Sequence, residues 1–157
     1  MDKLEDSEIV EREQGNDPGE TVCPFCHLPD ERIIGENETA VAVRDRFPVT
    51  PLHTLIIPRR HVSSYFELTA EELSDCHRLL LKLRQSIRSQ DARVAGFNVG
   101  INVGTAAGQT IHHCHIHCIP RRRKDVPNAR GGVRHVIPGK GFYPVDPPAG
   151  VEGSLRG

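Results

Sequence analysis

The pattern of apolar and polar positions along the chain predicts a sheet of short strands. Segments 31–34 and 39–45 are predicted to form a hairpin around the turn residues 35–37. Residues 52–58 form a further predicted strand, because prolines precede it and end it. Residues 96–103 alternate, with apolar side chains at the odd-numbered positions, so they are predicted to be a strand with one buried face.

One long helix is predicted after the strand at 52–58. Thr69 and Glu72 have the spacing of a capping box, with Thr69 as the N-cap. Apolar residues then recur at helical spacing and define one buried stripe: Leu73, Cys76, Leu80, Leu83 and Ile87. Strands dominate, hairpin connections make the sheet antiparallel, and a single helix covers it. The predicted fold class is therefore α+β.

The segment 108–120 contains the most informative pattern of the chain. His113, His115 and His117 occupy alternate positions, so on a strand they share one face at intervals of about 6.6 Å, while the residues between them face a core. Each imidazole has polar nitrogens that need hydrogen-bond partners when buried. Three histidines on one face are therefore better explained by a chemical role than by a contribution to stability. The residues alone leave a metal site, nucleophilic catalysis at phosphorus and an exposed polar face as interpretations.

Neighbouring residues favour chemistry at phosphorus. Asn102 and Gln109 carry amide donors and Thr110 carries a hydroxyl, which suits them to stabilise charge on a transferring phosphoryl group. Gly104 and Gly108 allow backbone N–H groups to approach a phosphate closely. Taken singly, each has a simpler explanation: Asn102 caps a turn, and Thr110 favours a strand.

Composition predicts a single globular domain without a membrane span. Of 157 residues, 37% are hydrophobic and 26% are charged. No apolar run approaches the roughly 20 residues that a bilayer requires. The N-terminus lacks the pattern of a signal peptide, so a cytoplasmic location is expected, with the five cysteines present as thiols or metal ligands.

Charge is distributed unevenly and predicts a tail at each end. Residues 1–20 hold eight acidic residues against two basic ones, so they are predicted to be a flexible acidic tail. Residues 21–143 are predicted to be the folded domain, and 144–157 a second flexible tail. Because the whole chain has a net charge of −1, the domain itself is mildly basic, which suits a small phosphate-bearing molecule better than nucleic acid.

Cys23 and Cys26 form a Cys-x-x-Cys pair. A redox pair is one interpretation, although the βαβ context typical of thioredoxin-like proteins is missing. A four-coordinate zinc site is the other, and it needs two more ligands. Spacing alone offers His27, His61 and His113 and does not choose between them.

The segment 108–120 resembles the signature of the histidine triad family, in which His-x-His-x-His with apolar spacers follows Gly-Gln-Ser/Thr. The resemblance extends over residues 21–143. It implies a nucleotidyl hydrolase or transferase that works through a covalent nucleotidyl-histidine, and a homodimer whose sheet continues across the two-fold axis. The match implies His115 as the nucleophile and His117 as the group that holds phosphate oxygens and assists the leaving group. His113 completes the catalytic set.

The upstream half of the domain agrees with this resemblance. Residues 43–58 resemble the family's nucleoside-binding strand and loop, which implies that Asp45 accepts hydrogen bonds from ribose hydroxyls. Without the resemblance, Asp45 is a surface residue at the end of a strand. His53 matches a family histidine that orients the triad. His112 departs from the family, in which an aromatic or apolar residue is common there, and it is expected to face away from the triad.

Zinc-containing relatives imply one structural zinc ion held by Cys23, Cys26, His61 and His113. Such a site would tie the N-terminal arm to the histidine segment and fix the ring of His113 beside the nucleophile. No catalytic metal is required, because phosphoryl transfer relies on positioning and electrostatics.

The residues that follow the triad bear on the substrate. Residues 121–124 are a basic run, which is usually a solvated face, but the end of a strand also suits contact with the distal phosphates of a polyphosphate. Residues 127–134 resemble the tails of diadenosine-polyphosphate-hydrolase-like members, so a diadenosine polyphosphate is the predicted substrate. The alternatives are a nucleoside phosphoramidate and a zinc-stabilised nucleotide-binding module without turnover. Neither a membrane nor nucleic acid is an expected partner.

Overall fold

The computed structural model describes residues 22–142, and the predicted tails lie outside them. Within this range, five strands and one α-helix follow in the order β1 (Ile33–Glu36), β2 (Ala40–Arg44), β3 (Thr54–Pro58), α1 (Ala70–Gln90), β4 (Val94–Gly100) and β5 (Ile116–Arg122). The strands form one antiparallel sheet in the order β1-β2-β3-β5-β4. The predicted α+β class, with one long helix on an antiparallel sheet, is confirmed.

Helix α1 begins after Thr69, as predicted. The Thr69 hydroxyl accepts a hydrogen bond from the Glu72 N–H at 3.2 Å, and the Glu72 carboxylate accepts one from the Thr69 N–H at 2.8 Å. The capping box is therefore confirmed. Arg60 adds two hydrogen bonds to the same carboxylate, each 2.8 Å long. This ion pair ties the start of the helix to the segment that follows β3.

One face of the sheet packs against α1 and forms the main core. The buried helix residues of this core are Cys76, Leu79, Leu83 and Ile87. Leu79 is absent from the predicted stripe, whereas Leu73 and Leu80 belong to that stripe but are only partly buried. From Cys76 onward, the buried residues of α1 recur every three or four positions. This spacing places Leu79 on the buried stripe and Leu80 at its edge.

The opposite face of the sheet carries a smaller apolar cluster and the polar side chains of interest. The cluster consists of Val41, Val43, Leu55 and Ile57, with Phe25, Leu28 and Ile33 packed against it. His117 is paired with Leu55 across β5 and β3, so its ring lies on this face. The alternate residues Cys114, Ile116 and Cys118 are buried, as predicted.

The histidine segment is not a strand throughout. Strand β5 begins at Ile116, so only His117 of the three histidines lies in the sheet, and the prediction of one strand carrying all three is wrong. The backbone N–H of Cys114 donates to the carbonyl of Val62 at 2.6 Å, which lies beyond the end of β3. Cys114 therefore bonds to the turn after β3 instead of continuing the ladder.

Other strand limits differ by a few residues. The strand predicted at 52–58 begins at Thr54, because Leu52 has a φ of 69° and the His53 N–H donates to the Thr50 carbonyl in a turn. The strand predicted at 96–103 runs earlier, since β4 ends where Gly100 pairs with His117. No helix within the described residues is long and apolar enough to cross a membrane.

Candidate active site

The ring of His115 is fixed by the backbone two residues before it. Its Nδ1 lies 2.8 Å from the carbonyl oxygen of His113. A carbonyl oxygen only accepts hydrogen bonds, so Nδ1 carries the proton and Nε2 keeps its lone pair. The ring of Phe25 packs edge-on against it, with centroids 5.2 Å apart. With Nδ1 engaged by the carbonyl, Nε2 of His115 is the ring nitrogen left for nucleophilic attack.

The next histidine along the face, His117, is held from one side only. Its ring centroid lies 5.1 Å from that of His115. Its Nδ1 lies 3.0 Å from Nε2 of His53, while its own Nε2 is buried with no hydrogen-bond partner among the described residues. Burial, with the neighbouring rings of His115 and His53 as lesser causes, lowers the pKa of His117 to about 4.

His53 and Asp45 extend this chain of contacts away from His117. The ring of His53 is buried, and its Nδ1 lies 3.4 Å from a carboxylate oxygen of Asp45. The other oxygen of Asp45 accepts the backbone N–H of Phe47 at 2.8 Å. Burial lowers the pKa of His53, and the charge of Asp45 opposes that effect. Asp45, His53 and His117 thus form one connected row of polar groups.

The loop that carries His53 is held in place by Arg122 at the end of β5. The Arg122 guanidinium donates to the Thr50 hydroxyl at 2.8 Å and to the Pro51 carbonyl at 3.2 Å. Its Nε donates to the Asp91 carboxylate at 2.9 Å. Arg121 pairs in turn with Asp125. These two arginines of the predicted basic run are therefore engaged within the protein and are not directed at distal phosphates of a substrate.

Gln109 shapes the glycine-containing turn before the histidines. The buried amide accepts the Gly104 N–H at 2.8 Å, and its NH₂ group donates to the carbonyls of Ser63 and Ile111 at 2.8 and 3.1 Å. Both of its N–H donors are thus used inside the turn, so Gln109 offers no free donor to a phosphate in this conformation, contrary to expectation. Gly104 and Gly108 both have positive φ, at 81° and 84°, which explains glycine at those positions.

The remaining predicted donors lie at the edges of the site. Asn102 is half-buried, two residues after the end of β4. Thr110 is exposed and lines a cleft beside the cysteine pair, together with His112. His112 is exposed on this cleft. The structure thus brings His53 and Asp45 to His117 and leaves Thr110 nearer to the cysteines.

A second cluster gathers Cys23, Cys26, His61 and His113. One ligand atom from each lies within 4.8 Å of all the others. The Cys26 sulfur is 3.1 Å from Nδ1 of His61, and the Cys23 sulfur is 3.5 Å from Nδ1 of His113. Two sulfur and two imidazole donors at these distances are the set that a tetrahedral zinc ion prefers. His27, the remaining candidate by spacing, lies outside this set.

The ring of His113 is already oriented for such an ion. Its Nε2 lies 2.8 Å from the Pro58 carbonyl, which accepts, so the proton is on Nε2 and the Nδ1 lone pair faces the two sulfurs. A histidine ligand whose second nitrogen donates to a carbonyl is the usual arrangement in metal sites. The donor set and this orientation together fit a metal ion.

Phe25 is the residue of the site that the sequence did not single out. It stands between the two cysteines, and its ring packs edge-on against both His113 and His115, at 6.0 and 5.2 Å between centroids. In the sequence, Phe25 could have been identified only from its position between the two cysteines. A cluster that brings Cys23 and Cys26 to His113 also brings Phe25 close to that histidine.

Comparison with known proteins agrees with this geometry. Residues 29–124 match the model of the HIT domain family. An uncharacterised HIT-like protein from Mycoplasma pneumoniae is 36% identical over 107 residues, which cover 63% of this chain and 71% of that protein. The bis(5'-nucleosyl)-tetraphosphatase (asymmetrical) of Schizosaccharomyces pombe is 41% identical over 78 residues, which cover 50% of this chain and 42% of that enzyme.

One solved structure bears on the cysteine and histidine cluster. A Zn-bound histidine triad family protein from Mycobacterium smegmatis is similar with a TM-score of 0.59 at 32% identity, over 66% of this chain and 78% of that chain. The family match begins after Cys23 and Cys26, so the pair that completes the cluster precedes the matched range.

Proposed function

The chain belongs to the HIT domain family, and we propose that it is a nucleoside-phosphate hydrolase or nucleotidyltransferase that cleaves at the α-phosphate through a nucleotidyl intermediate on His115. One observation carries the proposal. The Nδ1–H of His115 is tied to the His113 carbonyl, and the ring of His117, whose Nε2 has no partner among the described residues, lies 5.1 Å away between centroids. A nucleophile and a proton-transfer group thus stand side by side.

In the proposed reaction, Nε2 of His115 attacks the α-phosphorus in line. The bond from phosphorus to the leaving oxygen breaks, and that oxygen takes its electron pair together with a proton from Nε2 of His117. Water then attacks the nucleotidyl-histidine and gives a proton to Nε2 of His117, while the phosphorus–nitrogen bond breaks and its electrons return to His115. Asn102 and the backbone N–H groups of residues 105 and 106 in the turn 104–108 stabilise the phosphoryl oxygens. Gln109 contributes by holding that turn in shape.

The nucleoside end of the substrate is assigned to the loop after β2. Asp45 is only partly exposed and directs a carboxylate oxygen toward His53. Its oxygens have further acceptor capacity, which suits them to the paired hydroxyls of a ribose. A nucleotide bound there would reach from Asp45 across His53 and His117 to His115.

Cys23, Cys26, His61 and His113 would hold a zinc ion with a structural role. A closed four-ligand site supplies folding energy and fixes its ligands instead of activating water. Because the carbonyl of His113 accepts the hydrogen bond from His115, a fixed His113 also fixes the nucleophile. We further expect a homodimer, in which the outer side of the edge strand β4 continues the sheet into a second copy.

We infer a diadenosine polyphosphate as the substrate, since the similar enzyme from Schizosaccharomyces pombe is named for a bis(5'-nucleosyl) tetraphosphate. The test is a panel of diadenosine polyphosphates, nucleoside phosphoramidates and AMP. Turnover of the first class supports the proposal, turnover of phosphoramidates alone changes the substrate, and binding of AMP with turnover of nothing makes the chain a binding module.

The matched variants for this panel are His115→Ala and His112→Ala. The first removes the proposed nucleophile, and the second removes an exposed histidine three positions earlier that has no part in the mechanism. We expect His115→Ala to abolish turnover and His112→Ala to leave it unchanged. Equal activity of the two variants would rule out this mechanism.

A further inference from the structure

The loop between β2 and β3 directs one main-chain N–H at the buried ring of His53. The Val49 N–H donates to Nδ1 of His53 at 3.4 Å. A ring nitrogen that accepts a hydrogen bond has no proton of its own, so the single proton of a neutral His53 is on Nε2. The carboxylate of Asp45 also lies 3.4 Å from Nδ1, but without the geometry of a hydrogen bond. The main chain of the loop therefore determines which nitrogen of His53 is protonated.

The form of His53 fixes the form of His117. Nε2 of His53 and Nδ1 of His117 are 3.0 Å apart. Since Nε2 of His53 carries the proton, it donates, and Nδ1 of His117 accepts. The proton of a neutral His117 is then on its own Nε2, which is buried and has no partner among the described residues. The hydrogen bonds thus run in one direction, from Val49 through His53 to His117.

Both rings are neutral in the free protein near pH 7. His53 is 3% exposed, and burial lowers its pKa. Burial also lowers the pKa of His117 to about 4, and the neighbouring rings of His115 and His53 contribute to that shift. Each ring therefore has one proton, and the direction of the hydrogen bonds fixes the nitrogen on which it lies.

The loop holds the Val49 N–H in place. The His53 carbonyl accepts the Asp45 N–H at 3.0 Å, and the His53 N–H donates to the Thr50 carbonyl at 3.1 Å. Arg122 donates to the Thr50 hydroxyl at 2.8 Å. The side chain of Val49 is 72% exposed, so the contribution of this residue to the site is its main-chain N–H. A donor that is fixed in this way needs no reorganisation when a ligand binds.

We propose that the main-chain N–H of Val49 is a positioning group: acting through His53, it holds His117 with the proton on Nε2, where it donates to a phosphoryl oxygen of the substrate. This inference rests on the proposed function for the identity of that acceptor. A buried N–H without an acceptor is costly, and an anionic oxygen forms the stronger kind of hydrogen bond with it. Asp45 receives no proton from His53, so its oxygens keep their acceptor capacity for ribose hydroxyls.

The direct test is the position of the ring protons in the free, metal-loaded protein. Ring ¹⁵N chemical shifts from long-range ¹H–¹⁵N correlation distinguish protonated from bare nitrogens. We expect Nε2 to be protonated and Nδ1 to be bare in both His53 and His117. The Val49 amide proton should also exchange slowly with solvent, because it is bonded to a buried ring. A proton on Nδ1 of either ring, or fast exchange at Val49, would overturn the inference without the use of any variant.

Two variants of Val49 separate its main chain from its side chain. Val49→Pro removes the N–H, whereas Val49→Ala keeps it and alters only the exposed side chain. In Val49→Pro, the charge of Asp45 is the remaining influence on Nδ1 of His53, so we expect the proton of both His53 and His117 to move to Nδ1. Val49→Ala should keep the wild-type ring forms. Wild-type ring forms in a Val49→Pro protein that retains its metal would show that the N–H does not set them.

Kinetics connect the ring form to turnover. In Val49→Pro, a bare Nε2 of His117 would present a lone pair to the phosphoryl oxygen, and the donor is lost. We expect kcat to be about 100-fold lower in Val49→Pro than in Val49→Ala, which is the effect of removing one donor to a transition-state oxygen. Equal kcat values in the two variants would show that turnover does not depend on this donor, and the inference would be wrong.

The inference and the proposed function fail separately. If the wild type turns over no substrate, the proposed function is wrong, and the ¹⁵N shifts still decide whether Val49 sets the ring forms. If the wild type is active but carries its ring protons on Nδ1, the proposed function stands and this inference is wrong.

Discussion

The two outer histidines of the triad, His113 and His117, have the same side chain and opposite surroundings. His113 is fully buried, with one nitrogen on the Pro58 carbonyl and the other facing two cysteine sulfurs. His117 is only partly buried, with one nitrogen on His53 and the other without a partner among the described residues. Every nitrogen of His113 is thus committed, whereas His117 keeps one for a ligand.

This contrast teaches that the partner of the second nitrogen decides what an imidazole does. A carbonyl fixes the proton on His113 and turns its lone pair to two cysteine sulfurs. The carbonyl of His113 in turn holds Nδ1 of His115, the proposed nucleophile. A second histidine with a carboxylate behind it gives His117 a ring suited to proton transfer. The predictions below distinguish the role of His113 from that of His117.

The largest effect is expected from His113→Ala. It removes one of the four proposed metal ligands and leaves a cavity in place of a fully buried ring. We expect zinc content to fall from about one ion per chain to near zero, and stability to fall by about 3–5 kcal/mol, as for other large buried rings. Metal analysis and denaturant unfolding measure both, with His112→Ala as the exposed control. Full zinc retention would contradict the assigned cluster.

His117→Ala should affect turnover and leave the cluster of Cys23, Cys26, His61 and His113 unchanged. We expect kcat to fall about 10²- to 10⁴-fold through loss of proton transfer, while zinc content stays at the wild-type level. The same two assays applied to His113→Ala and His117→Ala thus give opposite patterns. If His117→Ala lost zinc, or His113→Ala kept both zinc and stability, the division of roles between the two ends would be wrong.

A smaller effect is expected from Arg122→Gln. The guanidinium joins Asp91 to the loop that carries His53, through Thr50 and Pro51. Its loss should cost about 1–3 kcal/mol of stability, as for hydrogen bonds to charged groups, and lower kcat/KM without loss of zinc. Arg123→Gln, which alters an exposed neighbour, is the control. Unchanged stability in Arg122→Gln would mean that the loop does not depend on this anchor.

The smallest effect is expected in the pH dependence of stability, through the Glu72 carboxylate near His61. Arg60, adjacent to His61, is the main cause that lowers the pKa of Glu72 to about 2. A carboxyl with a lowered pKa stabilises the fold above its unfolded value of about 4.3, and this contribution is lost as pH falls toward 2. Glu72→Gln should therefore flatten the stability curve between these values. A curve of the same slope would show that the ion pair does not contribute.

Much of the fold could be predicted because local rules decide it. The capping box at Thr69 and Glu72 and the buried cysteines of the histidine segment follow from patterns within a few residues, whereas Val99, on the apolar face predicted for β4, is exposed. The start of β5 could not be predicted in this way. It depends on a hydrogen bond from Cys114 to Val62, which the hydrophobic pattern does not contain.

The site divides in the same manner. The segment containing the three histidines, the cysteine pair and the matching upstream residues is visible in the sequence, and so is the chemistry that those residue types favour. The use of Gln109 inside its own turn, the anchoring of the loop by Arg122 and the equal distances of Asp45 and Val49 from His53 are long-range facts. They arise only when β2, β3 and β5 are assembled.

The central claim is that Nε2 of His115 becomes bonded to the α-phosphorus, and one measurement tests it directly. The wild-type protein is mixed with a dinucleoside polyphosphate labelled at the α-phosphate, quenched during turnover and digested for peptide mapping. The account predicts an acid-labile label on His115, and no label in His115→Ala. Turnover with label on another residue, or with no labelled protein at any quench time, would contradict it.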